Sequence, residues 1–178
     1  YLAIRRGPMA QPTSGTQVYF SKIRTGNNAQ VTVTGGGFPS DLLITQNREG
    51  SGPRFLDRLR GGGQYINSTN TGAEGTATAD AVVTFLMDGY SVGADTFDGY
   101  INYLNRLFVN HFFRRYPGVF DEVCYTGTNV AKTETHNLTV VPELIIVKNR
   151  TAAVGDPNWT VYSSTLGSGF YIRLNTTS

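Results

Sequence analysis

The residues able to do chemistry are few and scattered. His111 and His136 stand far apart, with one cysteine, Cys124, between them. A zinc site needs three or four such ligands at workable spacing, so no metal is expected. Cys124 would be a nucleophile only with a base beside it. It falls within Val123-Cys124-Tyr125, which alternates like a strand and predicts a small buried apolar residue. There is no Gly-x-Ser-x-Gly elbow, and Gly61-Gly62-Gly63 lacks the lysine and helix context of a phosphate loop. The acids Asp57, Asp88, Asp95, Asp98, Asp121 and Glu122 are the material for a glycosidase pair or a calcium site. Asp121 and Glu122 are adjacent, and on a strand they would point to opposite faces. Asp88, Asp95 and Asp98 lie in a glycine-rich stretch, where calcium ligation competes with plain turn chemistry. No catalytic set and no cofactor is expected.

The elements that would position these groups are organised by a repeat. Phe38-Pro39-Ser40-Asp41-Leu42-Leu43-Ile44-Thr45-Gln46-Asn47-Arg48 is matched by Val141-Pro142-Glu143-Leu144-Ile145-Ile146-Val147-Lys148-Asn149-Arg150. Proline suits a strand entrance, and the aliphatic run after it reads as a central strand. Other pairs follow in the same order. Ile4-Arg5-Arg6-Gly7-Pro8 matches Phe113-Arg114-Arg115-Tyr116-Pro117, and Gly61 to Ile66 matches Gly167 to Ile172. Such an ordered series implies tandem modules of roughly 105 residues. The first would span residues 1–116, its start cut mid-strand, and the second residues 117–178, incomplete at its end. The sequence is then a piece of a longer chain. Recurrent Pro39, Asp41, Asn47, Arg48, Pro142, Glu143, Asn149 and Arg150 read as structural. The pairs Arg5-Arg6 and Arg114-Arg115 read as structural ion pairs with Asp41 or Glu143, with an anion site as the alternative.

Composition sets the class. There are 21 glycines and only 16% charged residues, with turn residues at short intervals. That pattern predicts an all-β sandwich or barrel. Gln17 to Ile23 is expected as a strand with Val18, Phe20 and Ile23 inward and Lys22 outward. Gln30 to Thr34 and Ala81 to Met87 are further strands. Tyr100 to Tyr116 carries both helical and alternating spacing. Its match to Tyr1–Arg6 favours a strand from Leu107 to Arg115, with a turn of helix before it as an option. A net charge of +2 with mixed signs gives no nucleic-acid footprint. No apolar run approaches the ~18 residues of a membrane span, so no membrane insertion is expected.

The run Phe112-Phe113-Arg114-Arg115-Tyr116-Pro117-Gly118-Val119-Phe120-Asp121-Glu122-Val123-Cys124-Tyr125-Thr126-Gly127 resembles a phrase of bacteriophage virion proteins, particularly tail and fibre proteins of marine phages. The likeness continues through His136-Asn137-Leu138, Pro142 to Arg150, Trp159 to Tyr162 and Tyr171 to Thr177. It is close over Tyr90 to Ser178 and looser over Ile4 to Thr71. Thr128 and Tyr116 depart from the usual phrase. The resemblance implies a tandem array of jelly-roll or lectin-like β-sandwiches in a virion and brings no catalytic residues with it.

The expected function is therefore a structural virion component of a tailed phage, in a tail, fibre or other appendage, contributing to host attachment. One alternative is a polysaccharide-degrading tailspike using acids such as Asp95 or Asp98. Another is a sugar-binding adhesive module with Trp159, Tyr162 and Tyr171 as contacts. The partners would be other virion proteins, host-surface polysaccharide and further copies of the chain. Exposed sheet edges invite pairing, so a homo-oligomer is expected, a trimer in a fibre or a ring in a tail body.

Overall fold

Alternation of apolar and polar residues, broken by glycine turns, produces strands throughout. The computed structural model describes residues 11–50, 52–78, 81–96, 99–151 and 155–176. Among them the regular structure is β, with one 3-10 turn at Gly15–Gln17 and no α-helix. The strands are β1 (Tyr19–Thr25), β2 (Val31–Val33), β3 (Leu42–Asn47), β4 (Arg54–Asp57), β5 (Gln64–Asn67), β6 (Gly75–Thr76), β7 (Val83–Leu86), β8 (Gly89–Val92), β9 (Leu107–Phe113), β10 (Leu144–Lys148), β11 (Trp159–Ser163) and β12 (Ile172–Arg173). They form antiparallel sheets in the orders β1-β9-β3-β4-β5-β6, β2-β8-β7 and β10-β11-β12. The expected start of a strand at Tyr1–Arg6, with Arg5 and Arg6, lies outside the described residues, as does Asp98.

The first two sheets share one core. Leu43, Leu56 and Phe112 from the six-stranded sheet meet Val33, Val83, Tyr90 and Val92 from the three-stranded one, closed by Phe38 and Ile101. Each such side chain contributes roughly 1.5–3 kcal/mol by leaving water. A polar line runs through this core. Tyr90 Oη donates to Asn110 Oδ1 at 2.7 Å, Thr45 Oγ1 donates to the same oxygen at 3.0 Å, and Asn110 Nδ2 donates to the Lys22 carbonyl at 3.1 Å. Buried polar groups satisfied in this way fix register as well as adding stability. Burial raises the Tyr90 phenol above its ordinary pKa, against the opposing charge of Arg24.

Two expectations are corrected here. In β1 the register with β9 pairs Phe20 with Phe112, Lys22 with Asn110 and Arg24 with Phe108, so Lys22 and Arg24 lie on the core side. Ile23 is 63% exposed. Long basic side chains tolerate this because their heads reach acceptors: Lys22 Nζ donates to the Thr34 carbonyl at 2.8 Å, and Arg24 reaches Asn102 Oδ1 at 2.8 Å. Second, Val123-Cys124-Tyr125 is not a strand, and Cys124 is exposed. Three alternating residues carry no partner strand with them, and no ladder forms there. The ambiguous segment before Tyr116 resolves into β9, with turns and no helix ahead of it.

Gly89 opens β8 with φ 107°, and a Cβ there would sit 1.9 Å from the Val33 carbonyl oxygen. Gly89→Ala is expected to cost about 2–4 kcal/mol through left-handed strain and backbone overlap. Urea unfolding monitored by fluorescence checks this; a midpoint unchanged from wild type would contradict it.

Candidate interaction surface and the cleft behind it

The sheet β10-β11-β12 leans on the outer face of the first sheet. Strand alternation puts Lys148 and Ile146 on one face with their partners Trp159 and Val161. Trp159 and Val161 are 4% and 6% exposed. The indole packs on Phe55 with centroids 4.9 Å apart, and Nε1 donates to the Asn67 carbonyl at 2.8 Å. Polar clamps hold the same seam. Glu74 accepts from Arg150 Nε at 2.9 Å and from Arg60 at 2.9 Å, while its backbone N–H donates to the Arg150 carbonyl at 2.8 Å. Burial pushes the Glu74 carboxyl up, but the hydrogen bonds of Arg150 and Arg60 overcome it and bring the pKa below the ordinary value. Lys148 Nζ donates to the Gly72 and Pro157 carbonyls, each at 2.9 Å.

The other face of this sheet carries Ile145 and Val147, 41% and 40% exposed, and β10 is exposed on the first face too, with Leu144 and Ile146 at 60% and 45%, so the docking is made by Trp159 and Val161 of β11. Along the edge, β10 has a neighbour on one side only, β11, among the described residues. A strand that is aliphatic from Leu144 to Val147 and carries one lysine at its end lacks the usual devices that blunt an edge.

Between the two sheets lies a cleft of about 650 Å³, with Phe55, Asp57, Arg60, Glu122, Lys148 and Trp159 in its lining. Glu122 has a carboxyl oxygen buried without a hydrogen-bond partner among the described residues. Burial, then the charge of Asp57, raises its pKa to about 8. Asp57 itself is engaged: its carboxylate accepts from the Arg60 backbone N–H at 2.8 Å and pairs with the Arg60 guanidinium. Sequence reasoning names both Glu122 and Asp57 but weighs Glu122 only against its neighbour Asp121; the fold sets it against Asp57 instead.

The residues singled out from the sequence fall in several places. Trp159 faces the cleft as a packed wall, while half-buried Tyr162 is on the opposite face of the sheet. The register that pairs Val161 with Ile172 sets Tyr171 opposite Tyr162. Tyr171 is 57% exposed, with Arg173 4.6 Å over its ring. Tyr162 and Tyr171 thus share the open face, and Trp159 does not join them.

The arginine pairing also differs from expectation. Arg115 Nε donates to Asp121 at 2.6 Å, and the Arg114 guanidinium lies 5.6 Å over Tyr116. Asp41 accepts the Arg115 backbone N–H at 2.7 Å and pairs with Arg58 at 3.5 Å. Asp121 is nearer the guanidinium because the chain turns back at Tyr116–Phe120. Pro39 and Pro142 stand half-buried at their strand entrances, whereas Glu143 and Arg48 are exposed.

The remaining acids and histidines are occupied. Asp88 accepts from the Gly35 and Gly37 N–H groups at 3.1 and 2.7 Å. Asp95 accepts from Gly99, Ile101 and Asn102 N–H at 3.0, 2.6 and 2.8 Å. His111 Nδ1 is 2.8 Å from Tyr19 Oη, and burial lowers its pKa. His136 accepts from the Leu138 N–H at 3.2 Å. No cluster of three metal-ligating side chains occurs among the described residues.

Neither a curated protein nor a solved structure matches this chain. A family model described as a domain of unknown function, DUF7483, matches residues 15–178. The open sheet, its docking seam and the cleft all lie within that match, and the chain belongs to the DUF7483 family.

Proposed function

We propose that the chain is a repeated structural module of a tailed-phage virion, in a tail, fibre or other appendage, and that it contributes to host attachment. The single observation that carries the reading is the common register of two meanders. In the first, Leu42 pairs with Asp57, and Arg54 and Phe55 pair with Asn67 and Ile66. In the second, Leu144 pairs with Ser163, and Thr160 and Val161 pair with Arg173 and Ile172. The loops agree as well. Arg58 N–H donates to the Asp41 carbonyl and Ser164 N–H to the Glu143 carbonyl, both at 2.8 Å. Asn47 and Asn149 each cap the backbone two residues on, at 2.9 Å. Gly61 and Gly167 take matching left-handed φ values of 87° and 82°.

These correspondences support tandem modules of about 105 residues, with Phe55 equivalent to Val161. Repetition of a β-module suits an elongated assembly, and the phage-like phrase from Phe112 to Gly127 points to the particle. Mass spectrometry of purified particles tests this. The parent protein should be present at structural abundance, and its absence would sink the reading.

A second reading, polysaccharide cleavage, has one observation in its favour: Glu122 keeps its proton near neutrality beside Asp57, as an acid-and-carboxylate pair would. Asp95 does not suit that role, since three backbone N–H groups occupy its carboxylate. Release of reducing sugar from host polysaccharide, lost in Glu122→Gln, would promote this reading over the first.

A further inference from the structure

The stretch from Gly118 to Leu138 contains no strand, and it walls one side of the cleft. Its root is closed by two backbone donors: Gly118 N–H to the Leu138 carbonyl at 2.6 Å, and Asn137 N–H to Asp121 at 2.7 Å. Phe120 packs on Phe113 beside that root, with ring centroids 5.3 Å apart. Glu122 follows at once and turns into the cleft, where one of its carboxyl oxygens is buried with no hydrogen-bond partner among the described residues.

The charges around Glu122 are already matched without it. Asp57 and Arg60 face it from β4 and the turn after, Asp41 from the entrance of β3, and Arg115 from the end of β9. Arg60 pairs with Asp57 and, at 2.9 Å, with Glu74, and it donates to the Phe55 carbonyl at 3.0 Å. Arg115 pairs with Asp121 at 2.6 Å, and Asp41 with Arg58 at 3.5 Å. Farther along the lining, Arg150 pairs with Glu74 at 2.7 Å and Lys132 with Glu134. Lys148 is held by carbonyls, and His136 accepts a backbone N–H. A protonated Glu122 fits this arrangement. An ionised one would be a surplus negative charge beside Asp57, with each nearby cation engaged elsewhere. A buried charge without a partner is strongly unfavourable, and a segment outside any sheet ladder is the part of a fold that opens most readily.

We infer that residues 118–138 form a pH-gated strap, which closes the cleft while Glu122 is protonated and swings out about its Gly118–Leu138 root when Glu122 ionises. Opening uncovers the wall of the cleft made by Leu42, Phe55 and Asp57. The inference rests on neither reading of the function. Its direction follows from the two environments of the carboxyl. In the open strap Glu122 meets water and ionises near 4.5, whereas in the closed one burial and then Asp57 hold its proton to about pH 8. Between those values each unit of pH favours the open strap about tenfold, and the gain stops above pH 8.

The chain carries its own pair of reporters. It has one tryptophan and one cysteine, Trp159 and Cys124; both line the cleft, and the exposed cysteine lies on the strap. Energy transfer from Trp159 to an acceptor dye on Cys124 is measured against unlabelled protein at each pH. It should be high at pH 5, fall as pH rises and level off above pH 8, with the far-ultraviolet circular dichroism unchanged. Glu122→Gln should hold transfer high throughout. Asp57→Asn should do the same, because it leaves Arg60 available to the ionised glutamate. Flat transfer in the wild type, a fall that persists in either variant, or a fall that tracks loss of the circular dichroism would overturn the inference.

Discussion

Asp95→Ala should lower the free energy of unfolding by about 3–5 kcal/mol, the largest effect expected of any single substitution in the described chain. Asp95 is fully buried, with φ 52°. Its two oxygens collect the N–H groups of Gly99, Ile101 and Asn102. Asn102 then passes the constraint on. Its Nδ2 donates to the Ala29 and Gly93 carbonyls at 2.6 and 2.8 Å, and its Oδ1 accepts from Arg24 at 2.8 Å. Removing the carboxylate leaves three donors without an acceptor, in a site where alanine brings no water. Asp95→Asn keeps one oxygen and should fall between alanine and wild type. Urea unfolding of the three proteins checks the order. A loss under about 1 kcal/mol for alanine, the scale of one ordinary hydrogen bond, would show that the loop from Gly93 to Asn102 holds itself.

Glu122→Gln should do the reverse, stabilising the protein, and only above acidic pH. In the unfolded chain this carboxyl ionises near its usual 4.5, whereas in the fold burial and then Asp57 hold its proton until about pH 8. Between those values the native state binds more protons than the unfolded one, so stability falls as pH rises and levels off above pH 8. Glutamine keeps the shape and cannot ionise. It should remove about 2–4 kcal/mol of that decline, less than the full shift implies because water reaches the cleft. His111, with its lowered pKa, acts in the opposite sense: its neutral form is favoured in the fold, and stability is lost as pH falls through its titration. That slope is common to both proteins and cancels in their difference. Unfolding at pH 5 and pH 8.5 decides: equal pH slopes for wild type and variant would mean Glu122 ionises freely.

How far the sequence reveals this molecule depends on the range over which a signal acts. The aliphatic runs at Leu42 and Leu144 announce strands because the chemistry is local, and their proline entrances and Asn-Arg exits mark the ends. The strand at Leu107–Phe113 is harder, since its apolar residues also fit a helix, and only its likeness to another segment tips the balance. Burial of Trp159 is not readable, because Phe55 and Asn67 are distant in sequence and nothing near the tryptophan encodes them. The shift of Glu122 is unreadable for the same reason, its perturber Asp57 lying on β4, far off in sequence. The inward basic residues of β1 defeat a simple polarity rule, which scores charge without asking what acceptors await it. Asp95 is an intermediate case. An acid ahead of Gly99 signals a turn, but that its carboxylate is consumed by the turn, and so is not free for calcium or catalysis, requires the backbone path.

The clasp around Asp121 has a mechanical consequence. Gly118 N–H donates to the Leu138 carbonyl at 2.6 Å, and Asp121 accepts from the Asn137 N–H at 2.7 Å while paired with Arg115. The chain between these points contains no strand, so it contributes slack rather than stiffness. Tension applied along the chain passes from β9 across the clasp to β10 and bypasses the enclosed residues. When the clasp gives way, the enclosed stretch pays out on the order of 60–70 Å of contour at ~3.4 Å per residue, while the ladders on either side remain paired. The connection between the two sheets is thus a sacrificial bond guarding stored length, an extensible link held by two hydrogen bonds, one ion pair and the burial of Glu122 in the cleft.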